Sequence, residues 1–88
     1  MSGEIDYTYM LRLSDGSLYT GWTNDLEKRL AAHRAGKASR CTRSHRPLEL
    51  VYVETHPTRS AAMRREALIK HMTKAEKEAL VQAAPKAR

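Results

Sequence analysis

The alternation of apolar and polar residues near the start of the chain predicts a β-strand. From Ile5 to Leu13 every second side chain is apolar, and the side chains between them are mostly polar. The next residues, SDGS, contain Asp15-Gly16, a pair that accepts the positive φ angles of a tight hairpin turn. The LYTGW segment that follows is rich in aromatic and β-branched residues. It therefore predicts a second strand that pairs with the first as a hairpin.

A helix is predicted over residues 24 to 35. Thr23 or Asn24 would cap its N-terminus, and Gly36 would end it in a left-handed conformation. The segment that follows, KASRCTRSHRP at residues 37 to 47, combines basic side chains with small polar residues and a proline. This composition predicts an exposed basic loop.

The next apolar segment, LELVYVETH at residues 48 to 56, predicts a third strand. Its centre is apolar on both faces, which is typical of a strand in the middle of a sheet. Two further helices are predicted after Pro57, because TKAE at residues 73 to 76 is a capping box that would start the second of them. The first of these helices has an apolar stripe made of Ala61, Leu68 and Met72, with Ala62 and Ile69 beside it.

The order of these elements is strand, strand, helix, strand, helix, helix, and it predicts the fold class. We expect a small α+β domain with a three-stranded, mainly antiparallel sheet flanked by helices. A chain of 88 residues has too little core to divide, so one domain is predicted over residues 1–88, with a core at about residues 5–82 and a loose PKAR tail. The sequence has no secretory leader and no apolar run of about 18 residues, so we expect the protein in the cytoplasm and not in a membrane.

The formal net charge of +6 favours a polyanionic partner, nucleic acid above all. The single cysteine, Cys41, cannot form an internal disulfide, and the ordinary expectation is an idle thiol. Phosphate contacts are expected from the basic loop, although basic loops are also common as solvated charge. The residues predicted to bind nucleic acid are Lys37, Arg40, Arg43 and Arg46.

Two polar residues of the first predicted helix lie on its apolar side. Around a helix, Arg29 and His33 fall near Leu26 and Leu30, whereas a solvated charge would lie opposite the leucines. Arg29 and His33 are therefore predicted to face the domain or a cleft in it. The alternative is that they flank the leucines and extend their polar ends into water.

Three further residues are candidates for chemistry. Tyr9 and Tyr19 lie on the two hairpin strands and are expected to be approximate cross-strand neighbours, although tyrosines on strands are commonly packing residues. Glu66 lies at the edge of the apolar stripe of the second predicted helix, where its carboxylate would stand at the mouth of a cleft. The alternative for Glu66 is an ion pair with Arg65 or Lys70.

The short motifs YTY at residues 7 to 9 and YTG at residues 19 to 21 resemble the paired motif of the GIY-YIG nuclease superfamily. Arg29, His33 and Glu66 stand where that superfamily keeps its catalytic groups. The segments DGSLYTG, DLEKRL, H-x-x-G-K and RSAAMRRE are most similar to its small stand-alone bacterial branch, and the resemblance runs from residue 5 to about residue 80.

This resemblance implies an endonuclease that hydrolyses phosphodiester bonds in DNA with Mg²⁺ or Mn²⁺, in repair or structure-specific processing. Glu66 would hold the ion, and Arg29 would neutralise charge on the phosphate in the transition state. Tyr19 would position the attacking water and act as general base, with Tyr9 hydrogen-bonded near the water or phosphate. His33 is the other candidate for the base, and the sequence leaves this choice open.

The chain departs from the pattern of the superfamily in three ways. The first motif keeps only its final tyrosine, and Trp22 stands where several repair-type relatives have a lysine. Many relatives also attach a separate DNA-binding or partner-binding domain, which this sequence is not expected to contain. These departures keep two alternatives open: a module that binds nucleic acid without hydrolysis, and a module that depends on a protein partner for its specificity.

Overall fold

Three strands and four helices make up residues 5–84, the part of the chain that the computed structural model describes. The strand order is β2-β1-β3 and both pairs are antiparallel, so the predicted α+β fold class is confirmed. The predicted loose tail lies outside the described residues, and the single-domain boundary stays a prediction. The elements are β1 (Asp6–Arg12), β2 (Leu18–Thr23), α1 (Leu26–Arg34), α2 (Arg40–Ser44), β3 (Glu49–His56), α3 (Arg59–Lys70) and α4 (Lys74–Ala83).

The first two strands form the predicted hairpin, with Gly16 at a φ of 88° in its turn. The register places Tyr9 opposite Gly21 and Leu11 opposite Tyr19. The two tyrosines are therefore not directly paired, and the expectation that they are approximate cross-strand neighbours agrees with this register. Since directly paired residues of antiparallel strands share a face, Tyr9 and Tyr19 are diagonal neighbours on the same face of the sheet.

The central strand of the sheet is β1, not β3 as the sequence predicts. Tyr9, Met10 and Leu11 of β1 are all buried, because this strand is paired on both edges and covered on both faces. In contrast, β3 lies at the edge of the sheet, and Val53 is 39% exposed. Apolar residues on both faces of β3 therefore do not mark a central strand in this protein.

The two faces of β1 are covered by different helices. Tyr9, Leu11 and Leu13 pack with Leu30 of α1, and half-buried side chains complete this cluster, namely Tyr19, Leu26, Leu48 and Leu50. The opposite face carries Thr8, whose buried hydroxyl donates a hydrogen bond to the carbonyl of Ala62 in α3 at 2.9 Å. The sheet thus lies between α1 and α3.

The buried side of α3 differs from the predicted apolar stripe. Ala62 and Ile69 are buried, whereas Leu68 is 59% exposed. Two anchors fix this rotation of the helix: the hydrogen bond from Thr8 to Ala62, and a pair between the Arg65 guanidinium and the Glu54 carboxylate on β3 at 2.9 Å. Polar contacts of this kind leave no trace in hydrophobic periodicity.

The ends of the helices show one small difference from the prediction and two agreements with it. Asp25, rather than Thr23 or Asn24, caps α1 by accepting a hydrogen bond from the Lys28 amide. Gly36 follows the helix with a φ of 77°, as predicted. The capping box that starts α4 is also confirmed, since the side chain and backbone of Thr73 bond reciprocally with those of Glu76.

The segment predicted as a loop contains the short helix α2. Ser39 caps it, because the Ser39 side chain accepts a hydrogen bond from the Thr42 amide. The helix has no apolar periodicity that the sequence could have revealed. Its one buried side chain is that of Thr42, which faces α1.

Candidate active site

The ring of Tyr9 crosses from β1 over Gly21 on β2. A Cβ atom built on Gly21 would lie 2.6 Å from the Tyr9 hydroxyl oxygen, so only a glycine leaves room for this ring. The hydroxyl is 2.8 Å from Nε2 of His33 on α1. The third position of the YTG motif therefore determines where the tyrosine of the first motif lies.

His33 is the buried centre of the site. Its ring meets those of Tyr9 and Tyr19 edge to face, with centroids 5.8 Å and 5.3 Å apart. Its second nitrogen, Nδ1, is 2.9 Å from the Thr42 hydroxyl of α2. Both ring nitrogens are thus engaged, and the prediction that His33 faces into the domain is consistent with its burial.

The environment keeps His33 and Tyr9 uncharged. Burial lowers the pKa of His33, and the positive charge of Arg29 lowers it further. Burial also raises the pKa of Tyr9, and the neighbouring Tyr19 raises it further. The positive charge of Arg29 lowers the pKa of Tyr9, whereas the negative charge of Glu66 raises it. At neutral pH the hydrogen bond between these two residues therefore joins a phenol to a neutral imidazole.

Arg29 lies one turn before His33 on α1, but its side chain is exposed. Its guanidinium forms no ion pair within residues 5–84. It borders a cavity of about 260 Å³, whose other lining residues are Thr23, Asn24, Asp25, Lys28 and Ala32. Its positive charge nevertheless lowers the pKa of both Tyr9 and His33, so the guanidinium lies close to the two side chains.

Glu66 projects from α3 between the buried Ala62 and Ile69, and its side chain is 21% exposed. Of the two pairs the sequence left open, the structure contains the one with Lys70, at 3.4 Å, while Arg65 pairs with Glu54. The Glu66 carboxylate acts on the pKa of Tyr9. The Glu66 carboxylate therefore lies close enough to Tyr9 to affect its ionisation, as the Arg29 guanidinium does.

One carboxylate in this position suits a divalent cation that takes most of its ligands from elsewhere. The described residues contain no cluster of three or more His, Cys, Asp or Glu side chains that would hold an ion alone. Mg²⁺ retains several waters and is commonly bound through one or two carboxylates together with substrate phosphates. The donor set at Glu66 fits an ion whose coordination is completed by water and substrate.

All four predicted contacts of the basic segment are exposed to solvent, but one of them is also held by backbone carbonyls. Lys37, Arg40 and Arg43 are exposed. Arg46 is also exposed, but its guanidinium donates hydrogen bonds to the carbonyls of Arg34 at 3.1 Å and Arg43 at 3.2 Å. Arg46 thus joins the ends of α1 and α2, a structural role that its charge alone did not predict.

Two polar groups of this region escaped the sequence analysis. Thr42 binds the catalytic candidate His33, and Glu54 anchors Arg65, the neighbour of Glu66. The serine three residues before Thr42 is a capping signal, from which a short helix could have been predicted. No sequence signal connects Glu54 with Arg65, because their contact depends on how α3 packs against the sheet.

The stability of the protein is expected to fall as the pH drops below the ordinary histidine pKa of 6.5. The folded state resists protonation of the buried His33, whereas the unfolded chain takes up this proton. The unfolded state then binds more protons, so the free energy of unfolding falls with decreasing pH, by at most ~1.4 kcal/mol per pH unit. Above that pH both states hold a neutral His33 and the contribution is constant.

Thermal denaturation between about pH 5 and about pH 7.5 measures this dependence. His33→Gln should weaken it. Equal slopes for wild type and His33→Gln would contradict the assignment.

Comparison with known proteins places these residues in a family. Residues 6–79 match the model of the GIY-YIG catalytic domain. The chain therefore belongs to the GIY-YIG family, and the resemblance inferred from its motifs is confirmed.

Similar proteins share the fold over most of their length. A UPF0213 protein of Streptococcus sanguinis is 48% identical over 75 residues, which cover 85% of this chain and 86% of that protein. The solution NMR structure of a UPF0213 protein from Bacillus halodurans is 40% identical, with a TM-score of 0.59 over 89% of this chain and 83% of the other. An NMR structure of an E. faecalis protein is 30% identical, with a TM-score of 0.64 over 99% and 96%.

These names state no activity, so function has to be argued from the site. Among the described residues, no helix has the length and apolar character needed to cross a membrane.

Proposed function

We propose that this protein is a divalent-metal-dependent endonuclease that hydrolyses phosphodiester bonds in DNA, acting in the cytoplasm in repair or in processing of branched or single-stranded structures. The observation that carries the proposal is the hydrogen bond between buried Tyr9 and His33, with Tyr19, Arg29 and Glu66 around it. Neutral hydrogen-bonding groups, one carboxylate and a guanidinium without an ion pair among residues 5–84 lie near one another there. A phosphodiester and a metal ion need such a combination.

Arg29 is assigned to the phosphate. Its guanidinium is exposed and forms no ion pair with the described residues, so it is available to bind two phosphate oxygens at once. Charge that builds up on those oxygens in the transition state would be neutralised there.

Glu66 is assigned to Mg²⁺ or Mn²⁺. The ion, when bound, supplies Lewis-acid stabilisation of the phosphate oxygens. Glu66 is held by α3, whose rotation is fixed by the pair between Arg65 and Glu54. Binding of a cation would compete with Lys70 for this carboxylate, at little cost, since an exposed pair of this kind is weak.

Between the two candidate bases, the contacts favour Tyr19. His33 is buried, both of its nitrogens are engaged, and its lowered pKa makes it a weaker base. Tyr19 is half-buried, and we expect its hydroxyl to be reached by the attacking water. We therefore assign proton removal to Tyr19, and to His33 the support of Tyr9.

Nucleic acid is expected to bind through phosphate contacts made by Lys37, Arg40 and Arg43. Such contacts position a substrate without reading its sequence. The substrate would then be selected by shape, and its binding should weaken steeply with salt.

Cleavage of a labelled panel of single-stranded, duplex, flapped and branched DNA tests the proposal, with Mg²⁺, Mn²⁺ or a chelator. Wild type should cut at least one substrate only with metal, and Arg29→Ala should lower kcat by about 100-fold, because it removes a transition-state contact. Arg34→Ala is the matched control, since Arg34 is exposed on the same helix and, among residues 5–84, its hydrogen bond to Arg46 is made by its carbonyl rather than its side chain. Cutting in the chelator, or equal cutting by all three proteins, would refute the proposal.

A second candidate function is a module that binds nucleic acid and hydrolyses nothing until a protein partner docks on it. The exposed side of α3 favours it, because Met63 and Leu68 are exposed there near the basic Arg59 and Arg64. This function predicts salt-sensitive binding by the isolated protein, no cleavage of any substrate in the panel, and no effect of Glu66→Ala on the affinity.

A further inference from the structure

Thr42 is buried beside the candidate active site and is the second partner of His33. Its Oγ1 lies 2.9 Å from Nδ1 of His33, 3.0 Å from the Ser39 hydroxyl and 3.3 Å from the Ser39 carbonyl. Ser39 caps α2 and Thr42 lies in its first turn, so this helix holds the threonine against the imidazole.

The number of protons available decides which atom donates in each hydrogen bond from Tyr9 through His33 to Thr42. The Tyr9 hydroxyl is buried, and within residues 5–84 its hydrogen-bond partner is Nε2 of His33. A buried O–H without an acceptor costs about 1–3 kcal/mol, so Tyr9 should donate to Nε2, which must then carry the lone pair. The proton of the neutral imidazole therefore resides on Nδ1.

Thr42 can accept that proton because its own has somewhere else to go. Its hydroxyl has one hydrogen, which the carbonyl or the hydroxyl of Ser39 can accept. With the opposite direction, Nε2–H would point at the Tyr9 oxygen, and the Tyr9 proton would be left without an acceptor among the described residues. Only the first direction satisfies every donor.

We propose that Thr42 is a positioning residue that holds His33 in the Nδ1–H tautomer and so makes Tyr9 a donor to Nε2. The lone pairs of the buried Tyr9 oxygen are then left to accept a hydrogen bond. Under the proposed nuclease function, the donor would be the Arg29 guanidinium or a water that enters with the substrate. The tautomer depends only on the contacts of this chain, whereas its value for catalysis rests on the proposed nuclease function.

The tautomer can be measured without any substrate, by NMR of protein labelled with ¹⁵N in its histidines. The His33 resonances are assigned by comparison with His33→Gln, and the shifts of the two ring nitrogens show which one is protonated. Wild type should show Nδ1–H. Thr42→Val removes the acceptor of Nδ1–H at nearly constant shape, so either tautomer then leaves one buried donor unsatisfied and the share of Nε2–H should rise. Thr42→Ser keeps the hydroxyl and should keep Nδ1–H.

Either of two results would overturn the proposal: an Nε2–H imidazole in the wild type, or an unchanged Nδ1–H imidazole in Thr42→Val. The wild-type spectrum decides the tautomer by itself, so the test survives a variant that fails to fold.

Cleavage assays test the catalytic consequence separately. Thr42→Val should lower kcat by about tenfold or more with little change in KM, and Thr42→Ser should restore it, as when a group that orients a functional histidine is removed and replaced. A shifted tautomer with full activity would overturn the catalytic role of Tyr9 as an acceptor. A wild-type protein that cuts nothing would refute the nuclease proposal while the spectra still decide the tautomer.

Discussion

Replacing Glu66 with glutamine is expected to lower metal-dependent cleavage by about 1000-fold, while leaving the affinity for nucleic acid unchanged or slightly higher. Glu66 is the carboxylate whose charge reaches Tyr9, and an amide oxygen is a much weaker ligand for a hard cation. Loss of the ion removes several kcal/mol of transition-state stabilisation, which corresponds to about three orders of magnitude in kcat. Binding should not need the carboxylate, because the proposal assigns the phosphate contacts to α1, α2 and the segment between them.

The matched control for this variant is Glu49→Gln, which removes an exposed carboxylate on β3, outside the candidate site. It should cleave at the wild-type rate. Thermal denaturation should show that Glu66→Gln is folded, since the exposed pair with Lys70 contributes only about 0.2–0.5 kcal/mol. Metal-dependent cleavage that persists in Glu66→Gln would mean that another group binds the ion.

The elements that the sequence predicted well are those with a strong local signal. The hairpin follows from alternation and from Asp15-Gly16, and α1 follows from its cap region and Gly36. The errors concern features that depend on distant parts of the chain. The edge position of β3 results from pairing with β1, and the exposure of Leu68 results from polar contacts that rotate α3.

The candidate site shows the same division. Tyr9, Tyr19, Arg29, His33 and Glu66 were identified by motif and spacing, and the structure gathers them into one electrostatic neighbourhood. Their roles stay predictions. The supporting contacts could not be predicted, because Thr42 and Arg46 carry no motif and act through tertiary hydrogen bonds. Arg46, predicted to bind phosphate, donates hydrogen bonds to backbone carbonyls. Thr42, from the segment predicted as a loop, is hydrogen-bonded to the imidazole of His33.

The folded arrangement also explains why short motifs far apart in sequence belong together. The β1–β2 hairpin places the tyrosines beside α1, which directly follows β2 and brings Arg29 and His33 to them. Glu66 lies on α3, which covers the other face of the sheet and is separated from α1 in sequence by α2 and β3. Its position therefore depends on the packing of α3, which makes the pair between Arg65 and Glu54 part of the support of the site.

Gly21→Ala is the substitution expected to have the largest effect on stability. Its Cβ would lie 2.6 Å from the hydroxyl oxygen and 2.7 Å from Cζ of Tyr9, a ring that is buried and cannot swing into solvent. We expect the free energy of unfolding to fall by about 2–3 kcal/mol, as in other overpacked cores. Displacement of the hydroxyl from His33 should also remove most cleavage activity. Chemical denaturation and the cleavage assay measure the two effects.

Gly16→Ala separates this steric effect from the general cost of replacing a glycine. Gly16 has a φ of 88° with open space around it, so its loss should cost only about 1 kcal/mol of backbone strain and leave activity intact. A double-mutant cycle gives the sharper test, because Gly21→Ala should cost at least about 1 kcal/mol less in a Tyr9→Leu background than in the wild type. Additive costs would show that Gly21 is required for some reason other than the Tyr9 ring.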